Sequence, residues 1–410
     1  MKNILDGVVV LDLTRFFSGP QCTLFLAGMG AEVIKIDDPR SGDPTAGAPP
    51  FDGPYGISLE RRSEQDMGLA YLKRARGKKS VTLDLKSVRG REIFLAMASK
   101  ADVVVENFRP GVAGRLGIDY AALQAVNPAI IYCALTGYGS TGAGKDAKAY
   151  DLMVQAATGL MSMTGAPDGP PAKAASALSD AISGVFASNG IVAALLHRER
   201  SGEGQAIDVS MADCLFSLLF DEPIDCYAEL NLAPRQGNRI MRFSPFNIYA
   251  AQDGWVAVGA ATHAEWLALL GAMGRDDLKD DPDMMQIGWR IVHNAEVDAV
   301  VSGWTGAHTK DEIVEALAAV GVACSPVRSI NEVMDWPQLR ERGMIVPLHN
   351  PLTGAVSAAA GPGFPIKFSR TPASYASPAP IPGEHSDEVF GRFADLTPAQ
   401  VRQLRSDGII

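Results

Sequence analysis

The chain predicts an α/β fold built on a parallel sheet. Short β-branched apolar runs alternate with helical stretches, most of those runs are apolar throughout, and the composition is that of an ordinary globular protein. Of its 410 residues, 47% are hydrophobic and 20% charged, and at about 150 residues per domain this length implies two to three domains. Residues 8–14 (VVVLDLT) form the first strand, a helix over 21–29 follows, and a second apolar run at 32–36 completes a βαβ opening. The pattern continues with a strand at 81–85, a helix at 89–99, a strand at 103–105, a helix at 120–125 and a strand at 130–135.

Residues 179–200 carry Ile182, Val185, Phe186, Ile191, Val192, Leu195 and Leu196 at helical spacing, with Gly184, Ala187, Gly190, Ala193 and Ala194 as a small-residue face. A further helix is expected over 211–227. The stretch 228–247 then reads as a linker or active-site loop, because Pro234, Gly237 and Pro245 interrupt it among Arg235, Arg239 and Arg242. A smaller α/β unit follows, with a strand at 255–258 and helices near 265–273 and 310–320. From 344 to 382 the chain is rich in Pro and Gly and is expected to be extended, before a closing helix at 398–406. The resulting division is 1–205 and 336–410 for two parts of a large domain, 206–245 for a linker helix and loop, and 246–335 for a small domain.

Charge and composition exclude several classes. With 37 basic and 47 acidic residues the net charge is -10, which repels polyanions, so nucleic acid is not an expected partner. Cys22, Cys133, Cys214, Cys226 and Cys324 lack the paired spacings of metal sites or disulfide frameworks, and a cytoplasmic location is expected. No metal is expected either, since the six histidines show no HExxH-type spacing. No stretch reaches about 18 uninterrupted apolar residues, and Asp12 interrupts the first run, so neither a membrane span nor a signal peptide is expected.

Two glycine motifs invite a nucleotide-binding reading. Gly137 to Gly142 match GxGxxG and Gly139 to Lys145 match GxxxxGK. However, Asp146 stands where a P-loop needs Ser or Thr, and a dinucleotide fingerprint belongs in the first βα unit, not after several strands. The loop is read as glycine-rich with many backbone amides and no fixed ligand. Lys73, Arg74, Arg76, Lys78 and Lys79 place five positive charges within seven residues. Such a run reads either as a solvated face or as positive potential for a small polyanion such as coenzyme A.

Several segments are more specific. Leu5 to Thr14 (LDGVVVLDLT), Ser18-Gly19-Pro20, Gly30 to Ile36, Lys78 to Lys86, Asp102 to Gly111 (DVVVENFRPG), Leu195 to Gly204 and Gly383 to Asp387 occur in order along the chain. Together they resemble the class III CoA-transferase family, also called the CaiB/BaiF family and including formyl-CoA transferase. The resemblance runs almost from end to end. It implies an interlocked homodimer, in which each subunit has a Rossmann-like large domain made from both chain ends and a small domain between. It also implies an enzyme of the EC 2.8.3 type that moves coenzyme A from an acyl-CoA donor to a free carboxylic acid, with CoA and acyl-CoA as substrates and no tightly bound cofactor. By position, the nucleophile falls at Asp180, and the CoA site includes Phe17, Ser18, Arg40, Lys86, Asn107, Phe108, Arg109, Arg115, Lys148, Tyr150 and Asp151.

The implied chemistry suits these residue types. A carboxylate attacks a thioester to hold the acyl group as a mixed anhydride while CoA departs, and thiolate then returns to give an aspartyl-CoA thioester. Asp180 stands at a helix start, where the macrodipole favours the ionised form; a capping aspartate is the alternative role at such a position. Arginines and Lys86 suit phosphates, and Asn107 and Phe108 suit adenine or pantetheine. Racemases of the family use a histidine that would fall at about Tyr150, and phenol is a poor base at neutral pH. The loop carrying Arg235, Arg239 and Arg242 has one glycine where formyl-CoA transferase has several. This argues against formate and oxalate and offers guanidinium groups to the far carboxylate of a dicarboxylic acid. The alternatives to transfer are a 2-methylacyl-CoA racemase and a non-catalytic CoA- or nucleotide-binding module.

Overall fold

Six parallel strands form the central sheet: β1 (Val9–Asp12), β2 (Glu32–Asp37), β3 (Lys78–Thr82), β4 (Val103–Glu106), β5 (Ile131–Thr136) and β6 (Ala206–Ser210). In this computed structural model, which describes residues 3–220, 222–230 and 233–410, they lie in the order β3-β2-β1-β4-β5-β6. β1 and β4 are fully buried along their length, so they read as continuous apolar runs in the sequence. The order reverses between β1 and β4, and a crevice opens outside the carboxyl ends of strands at such a reversal. The loops leaving these two strands, residues 13–17 and 107–111, therefore border that crevice.

The sheet is wrapped by helices. α1 (Ser18–Gly28) connects β1 to β2, and α2 (Leu69–Arg74), α3 (Val88–Ala98), α4 (Val112–Leu116), α5 (Tyr120–Val126) and α6 (Asp151–Ala157) follow in order. α7 (Leu178–Ser201) is the longest and is apolar enough, by composition, to cross a membrane. Here it packs along α1, burying Ser183, Gly184, Ala187 and Ile191 within the unit. Gly184 makes this approach possible, since an added Cβ would lie 2.8 Å from the carbonyl oxygen of Ser18. α8 (Met211–Leu219) ends earlier than the expected 211–227, and residue 221 in that span lies outside the described residues.

Both chain ends contribute to this unit, which comprises Met1–Thr158, Ala174–Asp221 and Pro337–Ile410. The core joins Ile93, Phe94 and Met97 of α3 to Val389, Phe390 and Phe393 of α9 (Ser386–Ala394) and to Val401 and Leu404 of α10 (Pro398–Ser406). The second unit comprises Gly159–Lys173 and Glu222–Trp336. In it an antiparallel sheet of β7 (Phe246–Ala251), β8 (Gly254–Gly259) and β9 (Ala323–Pro326) packs with helices His263–Ala272, Asn294–Thr305 and Lys310–Ala319 around Trp266, Leu269, Val297 and Leu317.

Three elements differ from expectation. The strand expected at 81–85 begins at Lys78, because Lys78 and Lys79 lie inside it. The expected linker 206–245 starts with β6, an edge strand whose side chains are half exposed and so give little apolar signal. The Pro- and Gly-rich segment contains a hairpin of β10 (Ile345–His349) and β11 (Val356–Pro362).

Charge is buried where the carboxyl end of β1, the middle of β2 and the amino end of β3 meet. Lys78 Nζ lies 3.0 Å from Asp12 Oδ2, with both side chains inaccessible, and donates to Thr23 Oγ1 at 2.7 Å. Lys35 Nζ reaches Asp43 at 2.7 Å and Asp37 at 3.1 Å and donates to the Thr14 carbonyl at 3.0 Å. Burial pushes the Asp12 carboxyl up, but Lys78, Lys35 and two threonine hydroxyls together hold it below its ordinary value. Removing one partner of such a pair strands the other, at a cost of about 3–5 kcal/mol. Lys78→Met is therefore expected to lower unfolding stability in urea by about 3 kcal/mol or more. Wild-type stability in that variant would show that Asp12 does not depend on Lys78.

Candidate active site

The loop after β1 is built to hold a strained turn. Phe16 adopts φ 68°, a left-handed conformation unfavourable for a side chain of this size. Two side chains hold it there. Asn107 accepts from the Arg15 amide at 2.9 Å and donates to the Arg15 carbonyl at 2.8 Å, as a neighbouring strand would. Arg74 Nη1 donates to the Phe16 carbonyl at 2.6 Å, and its guanidinium stacks 4.0 Å from the Phe17 ring centroid. The turn delivers Ser18 to the start of α1, where its amide and hydroxyl lie beside Asp180 and favour its ionised form.

Asp180 is the third residue of α7. Ala177 caps that helix without a side-chain bond, and Asp151 of α6 supplies the missing acceptor. Its Oδ1 accepts from the Ser179 amide at 2.9 Å and from the Ser179 hydroxyl at 2.8 Å, while Gln155 Nε2 donates to its Oδ2 at 2.8 Å. Asp151 is thus committed to positioning the helix start. Burial and the nearby Asp151 charge push the Asp180 carboxyl up to about 6, against the opposing pull of Ser18 and Arg74. The macrodipole expectation of a readily ionised group is outweighed, because desolvation and a like charge act more strongly than a helix end. The carboxylate nevertheless predominates at pH 7.

Asp180 opens into a cavity of about 430 Å3. Of the residues expected at a CoA site, Ser18, Asn107, Phe108, Arg109, Lys148, Tyr150 and Asp151 line it. Lys86 lines an adjoining cavity of about 250 Å3 whose other walls include Leu13, Ile36, Leu83 and Leu85. Phe108 borders both cavities. Phe17, Arg40 and Arg115 line neither: Phe17 lies under Arg74, and Arg40 pairs with Asp38 and with Asp84 at 3.1 Å. Sequence reasoning missed Phe16, Arg74 and Lys145. The glycine loop was the available signal for Lys145, since Gly137 and Lys145 both face the cavity. Its amides do not cradle phosphate, because Gly139 N–H donates to Thr136 and Ser140 N–H donates to Asp208.

The basic run divides by environment. Lys78 is buried against Asp12, Lys79 bridges Glu32 and Glu388, and Arg74 holds the Phe16 turn. In the second unit Arg239 is taken by Asp298 at 2.7 Å, which Asn247 and Tyr249 also contact, and Arg235 donates to the carbonyls of Ser162, Ala166 and Gly169. Both of these arginines serve loop structure.

The doubly wound α/β unit thus carries a partly buried carboxylate, Asp180, near the reversal of strand order, beside cavities whose linings mix basic, acidic and apolar side chains. The chain belongs to CoA-transferase family III, whose model matches residues 5–386. It is 34% identical over 399 residues to the succinate-glutarate CoA-transferase of Agrobacterium fabrum, covering 96% of this chain and 97% of that protein. It is 37% identical over 388 residues to the acetyl-CoA:oxalate CoA-transferase of Acetobacter aceti, covering 93% and 92%. The crystal structure of a CaiB/BaiF family protein from Brucella suis superposes with a TM-score of 0.81 at 30% identity, over 96% of this chain and all of that one.

The opposing charges around Asp180 predict opposite shifts. Arg74→Met removes an attraction for the carboxylate and is expected to raise the Asp180 midpoint above about 6, whereas Asp151→Asn removes a repulsion and is expected to lower it. Carboxyl 13C chemical shifts of aspartate-labelled protein followed against pH give both midpoints. Shifts of the same sign in the two variants would contradict this balance.

Proposed function

We propose that the protein transfers coenzyme A from an acyl-CoA donor to a free carboxylic acid, with Asp180 as the covalent nucleophile. The observation that carries this reading is the placement of Asp180 in the first turn of α7, beside Ser18 and open to a cavity lined by Arg109, Lys145 and Lys148. The adenosine end of CoA is assigned to the second cavity, whose apolar walls are joined by Arg15 and by Lys86, which pairs with Asp38, and Phe108, bordering both cavities, lies on the path to the first.

Each step then balances without water or ATP. The Asp180 carboxylate attacks the thioester carbonyl, the C–S bond breaks, and CoA leaves as thiolate, giving an acyl-aspartyl anhydride. Thiolate attacks the aspartyl carbonyl and expels the donor acid as carboxylate, leaving an aspartyl-CoA thioester. The acceptor carboxylate attacks this thioester, and thiolate finally takes the new acyl group and frees Asp180. The Ser18 amide lies beside Asp180 and favours its charged form, which suits it to stabilise the oxyanion formed when the aspartyl carbonyl is attacked. Among the described residues no histidine lines the cavity, which leaves a racemase without its imidazole base.

We also propose a dicarboxylic acid as acceptor, supported by the acids named for the relatives and by the surplus of cations around Asp180. The assembly proposed is a homodimer. Val185, Phe186 and Leu196 on α7, with Phe216, Leu218 and Phe220 at α8, are 39% to 51% exposed, an apolar surface of the kind that a second chain covers.

Asp180→Ala is expected to abolish transfer from succinyl-CoA to glutarate, oxalate or mesaconate, read by mass spectrometry of new CoA esters, while CoA binding persists. Hydroxylamine added to the wild type during turnover should leave a hydroxamate on Asp180. Substantial transfer by the variant would remove the mechanism. Wild-type activity should rise with pH through about 6, because only the ionised carboxyl attacks. Light scattering at micromolar concentration should give twice the 43.4 kDa chain mass, and an active monomer would refute the dimer.

A further inference from the structure

A second basic cavity, of about 420 Å3, lies in the large unit between the residues after α2 and the returning segment. Its lining includes Arg76, His349, Lys367, Ser374, Tyr375 and Ser377, and among the described residues no aspartate or glutamate lines it. On a chain of net charge -10, a cleft with three basic side chains and no acid marks local selection for negative charge. None of the residues around Asp180 takes part.

Arg76 is the decisive group. It is only 5% exposed, and its recorded partners are neutral: Nε donates to the Lys73 carbonyl at 2.9 Å, Nη2 donates to the Pro362 carbonyl at 2.9 Å, and the guanidinium lies 4.4 Å from the Tyr375 ring centroid. Those bonds use two of the five N–H donors of a group that stays protonated. The place is shaped for it, because an added Cβ at Gly361 of β11 would stand 3.1 Å from Arg76 Cζ. A buried cation without an anion is costly, and a guanidinium with donors to spare is matched in geometry to carboxylate and phosphate. Lys367 lies at the rim, its Nζ donating to the Phe364 carbonyl at 2.9 Å, and adds a second charge for a dianion.

We propose that this cavity is an anion-binding site, separate from the one around Asp180, that takes a small dianion bearing carboxylate or phosphate groups through Arg76 and Lys367. The bound anion links α2 to β11 and the segment around Tyr375. Because Arg74, two residues before Arg76, holds the Phe16 turn, occupancy also bears on the loop that carries Ser18.

The test is calorimetric titration of inorganic phosphate and, separately, of succinate into the full-length protein already saturated with CoA; succinate uptake at the acceptor position beside Asp180 is told apart as the component that Arg76→Gln leaves unchanged. A saturable event is expected for at least one of the two, and the pair distinguishes phosphate from carboxylate ligands. Arg76→Gln should weaken it at least tenfold and Lys367→Met about fivefold. Absence of saturable binding of both anions, or equal affinity in wild type and Arg76→Gln, overturns the proposal. If Arg76→Gln does not fold, the anion-induced rise in melting temperature decides. That rise should be lost or sharply reduced in Lys367→Met, and a full wild-type rise in this variant refutes the site.

Discussion

The structure depends on a buried ionic array that joins the carboxyl end of β1 to the middle of β2 and the amino end of β3. Asp12 ends β1 and binds Lys78 of β3, Thr14 and Thr23, while Lys35 of β2 ties the Thr14 carbonyl to Asp37 and Asp43. Such pairs add little net stability, since desolvating the charges offsets most of their attraction, but each constrains its partner tightly once buried. The result is a fixed exit for the chain at Thr14. Everything that reaches Asp180 starts from there: the Phe16 turn, Ser18 and the first turn of α1.

The candidate site adds a second balance on that frame. Asp180 is partly desolvated and faces Asp151, which favours the neutral acid, yet Ser18 and Arg74 favour the carboxylate. A midpoint of about 6 keeps most of the group ionised near neutrality and leaves it less stabilised than a surface carboxylate. Asp151 contributes to this while its oxygens cap α7 from outside the helix. One residue thus fixes where Asp180 stands and raises the energy of its charged form.

The basic run at 73–79 illustrates how burial reassigns charge. Neither a solvated face nor a uniform phosphate patch describes it. β3 begins at Lys78, so alternation sends Lys78 inward to Asp12 and Lys79 toward Glu32 and Glu388. Arg74, the last residue of the short helix α2, holds the Phe16 turn, while Arg76 in the turn after it lines a separate cleft. Four similar side chains therefore serve separate tasks, determined by which partner each one meets.

By itself the sequence determined the α/β class, the strands at β1, β2, β4 and β5, the extent of α7 and α10, and the family to which the chain belongs. These are carried by local periodicity and by segments whose order along the chain is itself the signal. Asp180, Ser18, Asn107, Phe108, Arg109, Lys148, Tyr150 and Asp151 were legible in the same way, as positions in matching segments. Tertiary structure alone decided their partners. Asn107 clamps a loop 92 residues away, Arg74 supports a turn 58 residues away, and Lys145 joins the cavity from a glycine loop that resembles a phosphate cradle but spends its amides on Thr136 and Asp208. Edge strand β6 and the β10–β11 hairpin were also hidden, because half-exposed strands carry little apolar pattern. The reason is common to all of these: hydrogen bonds and ion pairs between distant residues leave no periodic trace along the chain, and only the packed sheet brings their atoms within reach.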